Sequence, residues 1–138
     1  MFRYAVRIDG DAKSGMASLV DWPQVCAPIN GNVAFVLKEN LLLKISESVR
    51  SGTLIPVPKS RPVEELCVRL STAQSLKVLV LNEMYASGVD MRFLARDLGV
   101  TESAIRRALD LSLSTDVDFL SEVLAVMGRR LLAYTAAK

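Results

Sequence analysis

The chain has 138 residues, of which 51% are hydrophobic and 23% charged, and this composition predicts one ordinary folded domain or two small ones. It contains no histidine, which excludes catalysis by imidazole and zinc sites that use histidine. The formal net charge is only +2, so any DNA-binding surface must be local.

The cysteines and the first residues predict a cytoplasmic protein. Cys26 and Cys67 belong to no C-x-x-C pair, and we expect two free thiols in a reducing compartment. The beginning of the chain lacks the basic and apolar segments of a secretory signal. The most apolar stretch, residues 33–45, is interrupted by charged side chains and is shorter than the roughly 20 residues that cross a bilayer. We therefore expect no membrane contact.

In chain order, the first predicted elements are the strands of a small antiparallel sheet. Apolar and polar residues alternate over residues 4–9, which predicts a half-buried strand with Ile8 on its buried face. Residues 16–20 are predicted to return as the second strand of a hairpin. Pro23 interrupts the pattern, and a short third strand is expected over residues 25–27.

A helix is predicted over residues 32–51, packed on one face of this sheet. The turn at residues 30–32 can supply its N-cap, and Gly52 can end it in the left-handed conformation. Its inward face is predicted to consist of Leu37, Leu41, Ile45 and Val49. The prolines within residues 53–58 keep the following chain extended, and residues 59–62 predict a linker.

The second half is predicted to be helical after one strand. Residues 66–70 alternate in polarity and could close the first sheet as an edge strand. The period then becomes that of a helix, from Ser71 or Thr72 to Gly88. The inward residues predicted for this helix are Leu76, Val78, Leu79, Val80 and Met84. Further helices are predicted over residues 91–98, 102–111 and 116–127, with a short strand or tail over residues 130–134.

These elements predict an α+β chain of two domains. The first, over residues 1–62, is a small antiparallel sheet with one helix, and the second, over residues 63–138, is all-α. Acidic residues slightly outnumber basic ones in the second domain, which counts against non-specific affinity for DNA.

The most specific pattern, over residues 91–109, is that of a helix-turn-helix. Ala95 is small where two helices cross, Gly99 can adopt the positive φ of a tight turn, and Val100 can lie beneath it as an apolar plug. Thr101 can cap the second helix, whose inward side is apolar and whose other side is free. This geometry presents the beginning of the second helix to the major groove of DNA.

The predicted DNA-binding residues are polar side chains on the free faces of these two helices. They are Arg92, Arg96, Thr101, Glu102, Ser103, Arg106 and Arg107. Arg106 or Arg107 can bind guanine through two hydrogen bonds, and Ser103 can bind a base or a phosphate. The two arginines of the first helix are natural phosphate ligands. Glu102 is repelled by phosphates, so it must accept from a cytosine amino group, pair with an arginine or point away.

Two other interpretations of these helices stay open. A plain α-hairpin with solvated arginines also has small residues and a glycine between its helices. A ribbon-helix-helix protein would use residues 66–70 as a strand paired with a second copy, with Cys67 and Arg69 reading the groove. That arrangement leaves the helices after Gly99 unexplained.

Several short motifs occur along the chain in a fixed order. The first half contains Arg3-Tyr4-Ala5-Val6, Asp21-Trp22-Pro23, Gly31 before the long helix and Leu54-Ile55-Pro56-Val57-Pro58 after it. The second half contains Val68-Arg69-Leu70-Ser71, Lys77-Val78-Leu79-Val80-Leu81-Asn82 and the block from Leu94 to Arg107. Over nearly its whole length the chain therefore resembles the HicB family of type II antitoxins, in the subgroup with a phage-repressor-like helix-turn-helix.

The resemblance implies an antitoxin that is not an enzyme. Its first domain would be a degraded RNase H-like sheet that binds and blocks a HicA-type toxin, an mRNA-cleaving ribonuclease with a fold like that of double-stranded-RNA-binding domains. Its second domains would form dimers, or tetramers of paired dimers, that repress the operon of the pair. Two departures are the helix over residues 32–51, about one turn short and without the usual acidic pair near its start, and Met91, which stands where such motifs often have glutamine.

Asp21 and Trp22 are the candidate toxin-binding residues. Trp22 is interpreted either as a core aromatic beneath the turn or as an exposed anchor for the toxin. A magnesium-dependent nuclease would require clustered carboxylates, which the first half offers only as Asp9, Asp11, Asp21, Glu39 and Glu47. Solvated loop residues are the better interpretation, so no metal or other cofactor is expected. The alternative function is a stand-alone dimeric transcription regulator whose first domain assembles the oligomer or senses a ligand.

Overall fold

The computed structural model describes residues 1–62 and 66–137, and within them the fold is α+β, as predicted. The strands are β1 (Arg3–Asp9), β2 (Met16–Leu19), β3 (Cys26–Pro28) and β4 (Cys67–Arg69). The helices are α1 (Val33–Ser51), α2 (Thr72–Ser87), α3 (Met91–Leu98), α4 (Glu102–Ala108) and α5 (Val117–Val126). No helix in this described part of the chain is both long and apolar enough to cross a membrane.

The chain forms two compact units, Met1–Ser75 and Leu76–Lys138, each with its own buried core. The first unit extends beyond residue 62, where the sequence interpretation placed the domain boundary. The reason is β4, the predicted edge strand, which pairs with β1 and so belongs to the first sheet.

The first unit contains an antiparallel sheet with the strand order β3-β2-β1-β4. The register places Val6 of β1 opposite Leu19 of β2, and Ile8 opposite Ala17. α1 packs on one side of the sheet, against β2, β3 and β4, and supplies the other half of the core. The predicted hairpin and third strand are confirmed. Ile8 was expected on the buried face, but it is 44% exposed because it lies at the end of β1, beside the hairpin turn.

The outer edge of β3 is largely occupied by the chain itself. Because β3 pairs with β2 through the backbone groups of Ala27, those of Cys26 and Pro28 point outward. The Cys26 carbonyl accepts a hydrogen bond from Asn40 Nδ2 at 2.9 Å. The Pro28 carbonyl accepts one from the Asn30 amide at 2.9 Å, and proline has no amide hydrogen to donate.

α1 begins and ends where the sequence predicts. The Asn32 side chain accepts from the Phe35 amide at 3.2 Å, and Gly52 after the last turn has φ 67°. The first three predicted inward residues are buried, but Ser48 rather than Val49 completes the buried face. A four-residue step advances about 40° around a helix, so a row built of such steps drifts away from the face on which it began.

The second unit contains most of α2 together with α3, α4 and α5. Its buried apolar residues are Leu76, Val78, Val80, Leu81, Met84, Leu94, Ala95, Ile105, Leu109, Leu120, Val123 and Leu124. Leu79 was expected to face inward, but it is 45% exposed. It lies about 200° around the helix from the buried Leu81, and therefore on the opposite side of α2.

α4 is shorter than predicted, since it ends at Ala108 instead of residue 111. The Thr115 hydroxyl donates to the Ala108 carbonyl at 2.8 Å, and the Asp110 carboxylate accepts from the Ser112 amide at 2.9 Å. These side-chain bonds form a turn that competes with further helix. Beyond α5, residues 130–134 form no regular element, which agrees with a tail rather than a strand.

Candidate nucleic-acid interface

A tight turn brings α3 and α4 together. Asp90 begins α3, with its side chain accepting from the Phe93 amide at 2.8 Å. At the other end of α3, Gly99 has φ 68°, and the Val100 amide donates back to the Ala95 carbonyl at 3.0 Å. A Cβ at Gly99 would meet no atom within 4 Å, so the backbone conformation alone favours glycine there. The positive φ predicted for this position is confirmed.

α4 begins after Thr101, whose predicted capping role is confirmed. Thr101 Oγ1 accepts from the Ala104 amide at 3.1 Å, which satisfies one of the free amides in the first turn. Its hydroxyl still has a hydrogen to donate, so capping is compatible with a contact to DNA. On the inner side of α4, Ile105 is completely buried and fixes that face against the core.

The arginines of α3 and two polar residues of α4 lie at the surface. Arg92 and Arg96 are exposed one turn apart on α3. Ser103 and Arg107 are likewise exposed one turn apart on α4. Within residues 1–62 and 66–137, these four side chains have no hydrogen-bond or ion-pair partner. They are therefore available to an external ligand.

Glu102, the acidic residue at the start of α4, pairs with Arg106. The distance from Arg106 Nη2 to Glu102 Oε1 is 3.5 Å, and the two side chains are 66% and 45% exposed. Pairing is one of the three arrangements predicted for Glu102. An exposed pair contributes only about 0–1 kcal/mol, so Arg106 can exchange this partner for a phosphate or a base at little cost.

The charge of this region is locally basic. Residues 91–109 carry four arginines against the two carboxylates of Asp97 and Glu102. Acidic residues slightly outnumber basic ones over residues 63–138 as a whole. The stretch that contains α3 and α4 is therefore one of two locally basic parts of the second half, the other being the end of the sequence with Arg129, Arg130 and Lys138.

Lys77 of α2 is a residue of this unit that the sequence interpretation missed. It is 1% exposed, and its Nζ donates to the Asp110 carbonyl at 2.6 Å and to the Leu113 carbonyl at 2.5 Å. Burial lowers the pKa of Lys77, and the negative charge of Asp110 opposes that shift. The signal in the sequence was a single charge within an apolar stretch, which the usual rule assigns to the solvent side of a helix.

The candidate toxin-binding residues are held within the first unit. The Asp21 carboxylate accepts from the Ser60 and Lys59 amides at 2.9 and 2.8 Å, and from the Ser60 hydroxyl at 3.0 Å. These bonds, above all that from the Ser60 amide, hold the pKa of Asp21 below its ordinary value. Trp22 is only 9% exposed and packs in the core. Both residues therefore have structural contacts, while their contact with a toxin stays a prediction.

The carboxylates at the end of β1 and in the loop that follows it have local partners. Asp9 pairs with Arg7 at 3.1 Å, and Asp11 accepts from the Lys13 and Ser14 amides at 2.9 Å. Among the residues that the structure describes, no three Asp, Glu or Cys side chains lie close enough together to hold a metal ion. These contacts agree with the interpretation of Asp11 as a loop residue, whereas Asp9 is the last residue of β1 and pairs with Met16 of β2.

The strand proposed for a ribbon-helix-helix protein is β4. It pairs antiparallel with β1 of its own chain, with Cys67 opposite Ala5 and Arg69 opposite Arg3. In a ribbon-helix-helix protein the corresponding strand pairs with a second copy. The pairing of β4 therefore does not favour that interpretation.

The solvent face of α1 carries apolar side chains that the sequence interpretation did not use. Phe35 and Leu43 are 62% and 63% exposed, and Val36 beside them is 38% exposed. The signal in the sequence was their position out of phase with the inward row of the helix. These exposed apolar side chains offer surface that a protein partner could cover.

Comparisons of the chain with protein-family models and with curated proteins give no match. Its function is therefore inferred from its residues and their arrangement. The arrangement that points most directly to a ligand is the surface of α3 and α4, where four arginines are exposed around a capped helix with a buried inner face.

Proposed function

We propose that the chain is a DNA-binding repressor of the HicB antitoxin type. In this proposal, α3 and α4 form a helix-turn-helix that reads operator DNA. The first unit is a partial RNase H-like domain that neutralises a HicA-type mRNA-cleaving toxin. The observation that carries the proposal is the exposed polar face of α4, which follows a left-handed turn and is fixed from behind by the buried Ile105.

The residues of α4 suit the edges of bases in the major groove. An arginine can donate two hydrogen bonds to the O6 and N7 atoms of guanine, and Arg107 has no competing partner in the described residues. Ser103, one turn earlier, can bond a base or a phosphate. Arg106 can do the same as Arg107 once it leaves Glu102, whose carboxylate can then accept from a cytosine amino group.

The arginines of α3 suit the DNA backbone. Arg92 and Arg96 lie on the helix that precedes the reading helix, a position that contacts phosphates in proteins of this type. Because the excess of positive charge is small, one copy should bind DNA weakly. We therefore expect operator affinity to depend on a dimer whose two copies of α4 are one helical turn of DNA apart.

The antitoxin half of the proposal is supported by the first unit. Its antiparallel sheet covered by α1 is compatible with the degraded RNase H-like domain that the resemblance implies. Phe35 and Leu43 on the outer face of α1 offer apolar surface to a protein partner. In this role the unit binds a toxin without catalysing a reaction.

The DNA half is tested by fluorescence anisotropy with two probes, the DNA immediately upstream of the coding sequence and the same bases in scrambled order. The parent is expected to prefer the upstream probe. R106A/R107A should lose this preference while it stays folded, because each bidentate contact contributes about 1–3 kcal/mol of discrimination. The matched control is R129A/R130A, which removes two exposed arginines from the same unit and should keep the preference. A parent that binds both probes equally contradicts the DNA proposal.

A phosphate contact should behave differently from a base contact. Arg92→Ala is expected to weaken binding to the upstream and scrambled probes alike, and to reduce the slope of log affinity against log salt by about one. A change in probe preference without a change in slope would instead place Arg92 at a base.

The toxin half is tested by co-expressing the chain with the product of the neighbouring reading frame. Rescue of growth and co-purification of the two proteins are expected. The double variant F35S/L43S should weaken the complex and leave the preference for upstream DNA intact. A chain that prefers its upstream DNA but binds no neighbouring product would be the stand-alone dimeric regulator.

A further inference from the structure

Lys77 occupies a position where lysine is rarely found. It lies on the inward side of α2, between the buried Leu76 and Val78, and it is only 1% exposed. A buried ammonium group is costly unless its hydrogen-bonding capacity is used. The contacts of its Nζ therefore identify what this lysine does in the fold.

The ammonium group of Lys77 binds the turn that follows α4. It donates to the Asp110 and Leu113 carbonyls, 33 and 36 residues further along the chain. The Leu113 amide donates to the same Asp110 carbonyl at 3.2 Å, and the Asp110 carboxylate accepts from the Ser112 amide. A positive charge at the carboxyl end of a helix also complements the helix dipole. Lys77 is therefore the centre of the bonds that order this turn.

α4 is too short to hold its own orientation. It has seven residues, about two turns, and isolated helices of that length are not stable. Its beginning is fixed by the Thr101 cap, and its middle by the buried Ile105. At its carboxyl end, the contact with α2 runs through the turn that Lys77 holds.

We propose that Lys77 is a positioning residue of the DNA-binding surface. Its ammonium group ties the turn after α4 to α2, and this tie fixes the orientation in which α4 presents Ser103 and Arg107. Lys77 is too buried to touch DNA itself. The positioning role rests on the proposed DNA binding, but the tie is a property of the second unit that can be measured without DNA.

The experiment compares three full-length variants with the parent. K77M keeps an unbranched side chain of similar length and removes the ammonium group, whereas K77R keeps the charge and the N–H donors. R129M is the control, because it removes an exposed positive charge from the same unit. Hydrogen exchange of the Leu113 amide reports the order of the turn. Anisotropy gives the ratio of affinities for the upstream and scrambled probes.

We expect K77M to exchange the Leu113 amide about tenfold faster and to lower the affinity ratio by a similar factor, because two charge-assisted bonds are lost. R129M should change neither quantity, and K77R should recover most of both. Faster exchange with an unchanged affinity ratio overturns the positioning role, as does unchanged exchange in folded K77M.

Failure of the proposed function gives a different result. If the parent binds both probes with equal affinity, the proposed DNA binding is wrong, and so is the positioning role. The exchange rates still show whether Lys77 orders the turn. If K77M does not fold, K77R decides the question. The role holds if exchange of the Leu113 amide becomes faster and the affinity ratio falls with it, and it fails if only one of the two changes.

Discussion

The polar residues that the sequence predicts to be functional have different surroundings in the two units. In the first unit, Asp21 accepts three hydrogen bonds from residues 59 and 60, and Trp22 beside it is buried. In the second unit, Arg92 and Arg107 reach the surface without a partner among the described residues. A polar group whose bonds are satisfied internally stabilises the fold, whereas one that is unsatisfied at the surface can bind another molecule. Substitutions should therefore change stability in the first case and binding in the second.

The largest effects are expected in the two cores. Leu41→Ala in the first unit and Ile105→Ala in the second each truncate a completely buried side chain, and each should lower the free energy of unfolding by about 2–5 kcal/mol. Fluorescence of Trp22, the single tryptophan, reports the first unit, and circular dichroism reports the helices. Only Ile105→Ala should also reduce the preference for upstream DNA. If both variants lost this preference equally, the proposed DNA-binding surface could not be assigned to the second unit alone.

Asp21→Ala should have the next largest effect, because two amides and a hydroxyl lose their acceptor. A loss of about 1–3 kcal/mol in the free energy of unfolding is expected from urea titration. Asp97→Asn, at an exposed carboxylate of the second unit, is the control and should change stability by less than about 0.5 kcal/mol. Comparable losses in the two variants would contradict the structural role of Asp21.

The same carboxylate should make stability depend on pH. The pKa of Asp21 is lowered in the folded chain from an ordinary value of 3.8, so the unfolded chain takes up its proton first as the pH falls. Its contribution is therefore complete above about pH 4 and is lost as the pH falls through the lowered value. In urea titrations over this window, Asp21→Asn should show a shallower loss of stability than the parent. Parallel curves would show that the titration of Asp21 does not contribute to the pH dependence of stability.

Gly99→Ala should have a smaller effect on the second unit. The substitution introduces no clash, but it holds alanine at φ 68°, which costs about 1–2 kcal/mol. Gly99→Asn should cost less, because asparagine tolerates the left-handed region better. Thermal unfolding measures both variants. A destabilisation of Gly99→Ala well beyond this range would mean that steric crowding, and not the positive φ, requires glycine at this turn.

Glu102→Gln should have the smallest effect on stability and an informative one on binding. Loss of the exposed ion pair changes the free energy of unfolding by about 0–1 kcal/mol. Affinity for scrambled DNA should rise by about two- to threefold, since a negative charge is removed and Arg106 is released. If Glu102 reads a cytosine, affinity for the upstream probe should fall at the same time. Anisotropy at several salt concentrations separates the two effects.

Local patterns were sufficient to predict most elements of the fold. The hairpin, the caps of α1 and the turn at Gly99 each depend on a few neighbouring residues with a specific backbone preference. The exposure of the arginines on α3 and α4 also follows from the helical period once the inward residues are known. The surface proposed for DNA binding is therefore close to the one predicted from the sequence alone.

The contacts that could not be predicted join residues far apart in the chain. Leu79 was predicted to face inward but is exposed, and the burial of Lys77 was not predicted, because a rule based on polarity places leucine inside and lysine outside. Lys77 is buried only because two carbonyls more than 30 residues away accept its hydrogens. In the same way, the partners of Asp21 at residues 59 and 60 lie in a segment that the sequence predicts as a linker.

The covered edge of β3 has a consequence for the chain at high concentration. Exposed strand edges are where copies of a protein add to one another and begin to aggregate. A strand approaching β3 would meet the Pro28 ring instead of a donor, and a Cys26 carbonyl already bonded to Asn40. The Asn40 side chain of α1 therefore hinders the addition of a strand from another copy of the chain at this edge of the sheet. Asn40→Leu should expose that carbonyl and lower the concentration at which the chain aggregates.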